Sequence, residues 1–229
     1  CTALGLYTTQ VHLLDTQGTQ ASSRLPIFVL QGGKRCVQHT QRTAEHAEWE
    51  RCMCVKQFSL TARFVSTCSV LPENTLLMTI GKASRPSISD HAHQHSIPLA
   101  QWSRASRDHA RDQHVLELTN PLHCSSKEDL RHMPFMLAQA QLDPNIDSIL
   151  IHLTPDPALD LEQLSTTLVT HRMNKPTLIC CNKQLEQSLC CERLQAAWYV
   201  LTSDLEMAFA TLHTVTTLAQ RKYASRSVA

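Results

Sequence analysis

The sequence predicts an α/β domain with a doubly wound parallel sheet over residues 72 to 229. Two observations carry that prediction. From Pro72 onward, short β-branched or aliphatic runs alternate with helical patterns, which is the signature of βαβ units. The run Ser148-Ile149-Leu150-Ile151-His152-Leu153-Thr154 is apolar at nearly every position, as expected of a central parallel strand covered on both faces. His152 within it reads as a core histidine rather than a ligand.

Six strands are expected, at Leu76 to Ile80, Ile97 to Gln101, His114 to Thr119, Ser148 to Thr154, Pro176 to Cys181 and Trp198 to Thr202. Ile149, Leu150, Ile151, Leu178 and Ile179 should be buried on the central ones. Ser125 with Glu128 reads as a capping box ahead of Asp129-Leu130. Ser203 with Glu206 reads as another, opening a helix that runs to about Tyr223. Between Asp160 and Met173, Leu161, Leu164, Leu168 and His171 recur at helical spacing, and Asn174-Lys175-Pro176 ends that helix and starts a strand. Upstream, Leu4 to Leu14 can hold a strand. Leu25 to Leu30 followed by Gln31-Gly32-Gly33-Lys34 reads as a buried strand ending in a glycine turn. Two strands do not make a domain, so residues 1 to 71 read as a partial α/β domain preceding the one at 72 to 229.

Composition narrows the function classes. With 42% hydrophobic residues in 229, the chain can bury a core, and 21 basic against 20 acidic residues give no field that argues for nucleic acid or an anionic membrane. No apolar run approaches the roughly 20 residues of a membrane span, and no signal sequence opens the chain, so a soluble, cytoplasmic protein is expected. The ten cysteines sit in apolar runs or as the adjacent pairs Cys180-Cys181 and Cys190-Cys191, and read as buried free thiols. Cys52-x-Cys54 lacks the spacing of a zinc knuckle. In His91-x-His93-x-His95 the three imidazoles would share a metal ion on a strand, whereas on a helix only His91 and His95 share a face; no metal site is assigned. Five glycines leave few places for a phosphate-cradling loop. No Gly-x-Ser-x-Gly elbow, Walker loop or dinucleotide fingerprint is present.

Ordered short motifs point further. Asn120-Pro121-Leu122 precedes a capped helix, then Asp143-Pro144-Asn145-Ile146-Asp147 leads into the strand ending Thr154-Pro155. Lys175-Pro176-Thr177-Leu178 and Thr202-Ser203-Asp204-Leu205-Glu206 come after it. In this order and spacing they resemble the second flavodoxin-like domain of NDP-forming acyl-CoA synthetases, relatives of succinyl-CoA ligase, over Pro72 to Tyr223. Leu25 to Lys34 is similar to a segment of that family's preceding domain. The Cys181-Asn182 region most resembles bacterial protein lysine acetyltransferases built on the same scaffold.

The resemblance implies a reaction that interconverts acyl-CoA, phosphate and NDP through a phosphohistidine. His39, in Gln38-His39-Thr40-Gln41, stands nearest the family's phosphoacceptor, but the flanking glycine is missing and an ordinary surface histidine is the alternative. Gly32 and Gly33 fall in the family's Lys-Gly-Gly turn. The family's second phosphate turn reads here as Gly81-Lys82-Ala83-Ser84-Arg85-Pro86-Ser87. Lys82, Ser84, Arg85 and Ser87 can hold an anion by charge and hydroxyl, or can be solvated loop residues. In the Asn120-Pro121 turn, His123 replaces the family's aspartate. The implied reading is a diverged ligase-CoA module that positions domains or binds acyl-CoA or ATP/ADP, inactive alone. Its partners would be a nucleotide-grasp, CoA-binding or acetyltransferase domain of the same or another chain. A working subunit of an ADP-forming acetate-CoA ligase and a ligand-free scaffold are the alternatives.

Overall fold

The computed structural model describes residues 44–82, 85–113, 118–154, 156 and 160–226. The chain divides into two units, Cys1–Ala47 and Glu48–Ala229, and the sheet belongs to the second. The expected upstream strands, with Gly32, Gly33 and His39, lie outside the described residues, as does Ser84.

In chain order the elements are α1 (Ala44–Ser66), β1 (Thr75–Ile80), α2 (Arg85–Gln94), α3 (Arg104–Asp112), β2 (Leu122–Cys124) and α4 (Lys127–Leu142). They continue as β3 (Ser148–Leu153), α5 (Leu161–Thr170), β4 (Thr177–Cys181), α6 (Leu189–Ala196), β5 (Val200–Thr202) and α7 (Leu205–Arg226). The five strands form one parallel sheet in the order β2-β1-β3-β4-β5. This is the flavodoxin-like order of a doubly wound fold, as the sequence predicts.

Strand β3 lies between β1 and β4, and Ile149, Leu150, Ile151, Leu178 and Ile179 are completely buried. Alternation along each strand divides these residues between two cores. Leu76, Met78, Ile149, Ile151 and Ile179 meet Met136 and Leu137 of α4, Leu164 and Leu168 of α5 and Leu194 of α6. Leu77, Leu150 and Leu178 meet Leu60 and Phe64 of α1, Ile88 of α2 and Phe209 and Leu212 of α7. Full burial of each such side chain stabilises the fold by about 1.5–3 kcal/mol. Helix α5 carries the expected apolar stripe and is capped by Asp160, whose carboxylate accepts from the Glu162 and Gln163 amides, while His171 is its exposed C-cap.

Several expectations are corrected. Residues 97–101 form no strand; Leu99 makes a single bridge to Thr75, because Asn120 takes up the remaining polar groups of that flank of β1. The strand expected at His114 to Thr119 lies partly outside the described residues, and Leu118 and Thr119 belong to no strand. The edge strand comes later, at Leu122–Cys124, because Pro121 has no N–H for a ladder and pairing with Met78 to Ile80 begins only after it. The caps sit one residue further on than expected. Ser126 with Asp129 forms the box of α4, and Asp204 accepts from the Met207 amide at the start of α7. Finally, Cys52 and Cys54 are exposed on α1, whereas Cys124, Cys180, Cys181, Cys190 and Cys191 are buried free thiols. The last helix ends at Arg226, three residues beyond Tyr223. Among the described residues no helix is long and apolar enough to cross a membrane.

Candidate functional site

In an open parallel sheet the connections leave opposite faces where the strand order reverses, opening a crevice at the carboxyl ends of the two strands concerned. Here those strands are β1 and β3. Gly81 follows β1 with φ +98°, a conformation that favours glycine, and its amide donates to Cys124 O at 3.0 Å. A Cβ at Gly81 would lie 2.4 Å from Thr154 O and 2.8 Å from Thr154 Oγ1. Thr154 closes the other side, its amide and hydroxyl both donating to Ile80 O, at 2.9 and 3.1 Å. Glycine is therefore required at position 81 on two counts, conformation and space.

Lys82 is exposed beside this turn, with Nζ 4.0 Å from the carboxylate of Asp156, whose side chain is only 4% exposed. Nothing local in the sequence points to Asp156, because its place just after Thr154-Pro155 carries no pattern. Arg85 and Ser87 lie in the first turn of α2, which begins at this crevice.

Behind the crevice, one row of side chains crosses the sheet on the face that α1, α2 and α7 cover. In register, His123 pairs with Thr79, Thr79 with His152, His152 with Cys180, and Cys180 with Thr202. His123 Nδ1 is hydrogen-bonded to Thr79 Oγ1. His152 Nδ1 is buried with no hydrogen-bond partner among the described residues; burial first, and nearby His91 second, hold its pKa below that of an ordinary histidine. Above the row, His91 Nδ1 and His95 Nε2 lie 3.0 and 2.8 Å from the Glu206 carboxylate, and both rings stack on Phe209 at centroid distances of 5.6 and 5.8 Å. His91 and His95 thus share a helix face, while His93 is exposed. Among the described residues no three His, Cys, Asp or Glu side chains are grouped to hold a metal ion. Burial pushes the Cys180 thiol up to about 12, with Asp204 adding to the effect, so this thiol stays protonated and unreactive.

The motif turn lies at the opposite, amino end of the sheet. Asn120 precedes β2, is joined to Pro121 by a cis peptide bond, and reaches across to β1. Its Nδ2 donates to Thr75 O and Ala100 O and its Oδ1 accepts from the Leu77 amide, all at 2.9 Å. These bonds occupy the side chain within the fold. Two more motifs act the same way. Asp143 is buried before β3 and accepts from the amides of Ser103 and Asn145 at 2.8 and 2.9 Å. Burial would raise its pKa, but hydrogen bonds from Ser106, Asn145 and Ser103 outweigh it and hold the carboxyl below its usual range. Asp147 accepts from the amides of Glu73 and Asn74. Lys175, before β4, donates to Ala140 O and Asp143 O at 2.8 and 2.5 Å.

No family model and no curated protein sequence matches the chain. Solved structures do match. Against the dinucleotide-forming acetyl-coenzyme A synthetase 1 of Ca. Korarchaeum cryptofilum in its apo form, 82% of this chain aligns with TM-score 0.60 and 14% identity, covering 45% of that chain. The same enzyme in complex with phosphate and ADP aligns over 80% of this chain and 43% of its own, with TM-score 0.60 and 14% identity. A Pyrococcus horikoshii OT3 protein aligns over 72% of this chain and 40% of its own, with TM-score 0.56 and 14% identity. The chain thus spans less than half the length of these structures and shares the fold of one portion of them.

Proposed function

We propose that this chain is a diverged ligase-CoA module of an NDP-forming acyl-CoA synthetase-like protein, or of a protein acetyltransferase built on that scaffold. It takes a phosphate-bearing ligand, acyl-CoA or ADP, at the crevice between β1 and β3, and positions partner domains that supply the chemistry. The observation that carries this reading is the Gly81 turn. A glycine held at φ +98° against Thr154 keeps side chains out of the crevice, with the exposed Lys82 ammonium and the start of α2 beside it. One structural neighbour was crystallised with phosphate and ADP, which supports the ligand class. Nucleotide-grasp, CoA-binding or acetyltransferase domains are the partners this reading requires, and the cytoplasm is the compartment that suits them.

On this reading the chain alone is not catalytic. His39 has lost the glycine that would present it, and a phosphohistidine needs an imidazole aimed at phosphorus with anion-stabilising amides around it. Incubation with ATP, or with acetyl-CoA and phosphate, should leave no acid-labile phosphate by intact mass; a phosphate that disappears in His39→Ala would restore the ligase mechanism. Calorimetric titration of acetyl-CoA and ADP tests the binding itself. Saturable binding weakened by Lys82→Ala supports the module, and no heat with either ligand defeats it. That second result would favour the ligand-free scaffold, for which the engagement of Lys82 by Asp156 speaks.

A further inference from the structure

Helix α6 ends in a Schellman motif. The Tyr199 amide donates to Leu194 O at 3.1 Å and the Trp198 amide to Gln195 O at 2.9 Å, so Trp198 occupies the left-handed position at φ +66°. Glycine is the default there, and a bulky side chain is an outlier. Packing does not compensate, because Trp198 is 78% exposed. An indole held in an unfavourable backbone conformation and directed to solvent does nothing for the fold, so its benefit must come from contact with something outside it.

A cavity of about 470 Å³ opens beside it, a size suited to a small organic ligand. Its walls include Trp198, Arg172, Asn174, Lys175 and the hydroxyl-bearing Ser66 and Thr67, and among the described residues no carboxylate lines it. Lys175 already donates to two backbone carbonyls, which leaves Arg172, exposed, as the freer cation. Trp198 and Lys175 precede β5 and β4, so the cavity lies at the amino end of the sheet, the opposite end from the Gly81 crevice.

We infer that this cavity is a second binding site, for a ligand that joins a flat aromatic ring to an anionic group at mononucleotide size. The ring stacks on the Trp198 indole and the anion pairs with Arg172, whose planar guanidinium suits phosphate and carboxylate alike. The site does not depend on the proposed function of the crevice.

The test is titration of AMP into the full chain, followed by calorimetry and tryptophan fluorescence, with adenosine and inorganic phosphate as the separate halves of the ligand. AMP should bind saturably and more tightly than either half. Trp198→Gly should weaken AMP about tenfold or more, the scale of one base stacked on an aromatic ring, while leaving the thermal midpoint equal or higher. Trp198→Phe should restore most of the affinity. Arg172→Ala should weaken AMP and flatten its salt dependence. Absence of saturable AMP binding, equal affinity for adenosine, or AMP binding indifferent to both Trp198→Gly and Arg172→Ala would each overturn the inference.

Discussion

The two ends of the sheet differ in what their polar residues do. At the amino end, Asn120, Asp143, Asp147 and Lys175 are each taken up by backbone groups of neighbouring segments. They tie the start of one strand to the next. At the carboxyl end, Gly81 clears space, Lys82 is exposed, and His152 keeps a ring nitrogen without a partner among the described residues. Three of the motifs that carry the family resemblance, at Asn120, at Asp143 to Asp147 and at Lys175, sit at the amino end, whereas Thr154 and the segment Thr202 to Glu206 lie at the carboxyl ends of β3 and β5. The residues that would carry chemistry sit at the other end or lie outside the described residues. The amino-end motifs hold the starts of the strands in register.

Substitutions can break this contrast, beginning with the largest expected effect. Asp143→Ala should destabilise the chain by about 2–3 kcal/mol, since it removes a buried carboxylate that accepts from the amides of Ser103 and Asn145 and a charge beside half-buried Lys175. Urea denaturation measures this. Gly81→Ala should cost about 2–3 kcal/mol by the same measurement, from the positive φ and from a Cβ placed 2.4 Å from a backbone oxygen.

The pH dependence should carry the mark of His152. Its folded pKa lies below the unfolded value of about 6.5, so the folded state resists the proton and the unfolded chain takes it up. The stability its neutral form contributes is complete above pH 6.5 or so and is lost as pH falls below that value toward the folded pKa, by at most about 1.4 kcal/mol per pH unit. Denaturation midpoints of wild type and His152→Gln should diverge only below that pH, with the wild type falling faster. Smallest of all, Lys82→Ala should change stability by no more than about 0.5 kcal/mol, as expected of an exposed lysine 4.0 Å from its partner.

Legibility in the sequence divides along similar lines. Strands β3 and β4 are apolar at nearly every position because helices cover both faces, and such runs can be read without a structure. Edge strand β2 has three residues, with His123 at its centre, too short and too polar to signal itself. Its partner residues on β1 select it instead. Helix α1 gives little signal either, since Leu60, Thr61 and Phe64 are the buried residues among its described side chains and no apolar stripe stands out. Gly81 is legible through the family resemblance, as the one glycine of the second phosphate turn. Asp156, Thr154 and the Glu206 carboxylate between two histidines are not, because their roles arise from segments that meet only in the folded chain.

The most direct test is equilibrium urea denaturation of Asn120→Ala. If the amino-end motif holds the fold, losing the bonds to Thr75 O, Ala100 O and the Leu77 amide should lower stability by about 2–3 kcal/mol, with any ligand affinity of the folded variant unchanged. A variant as stable as the wild type that has lost acetyl-CoA or ADP binding would contradict the account, and would place the motif in the binding site instead.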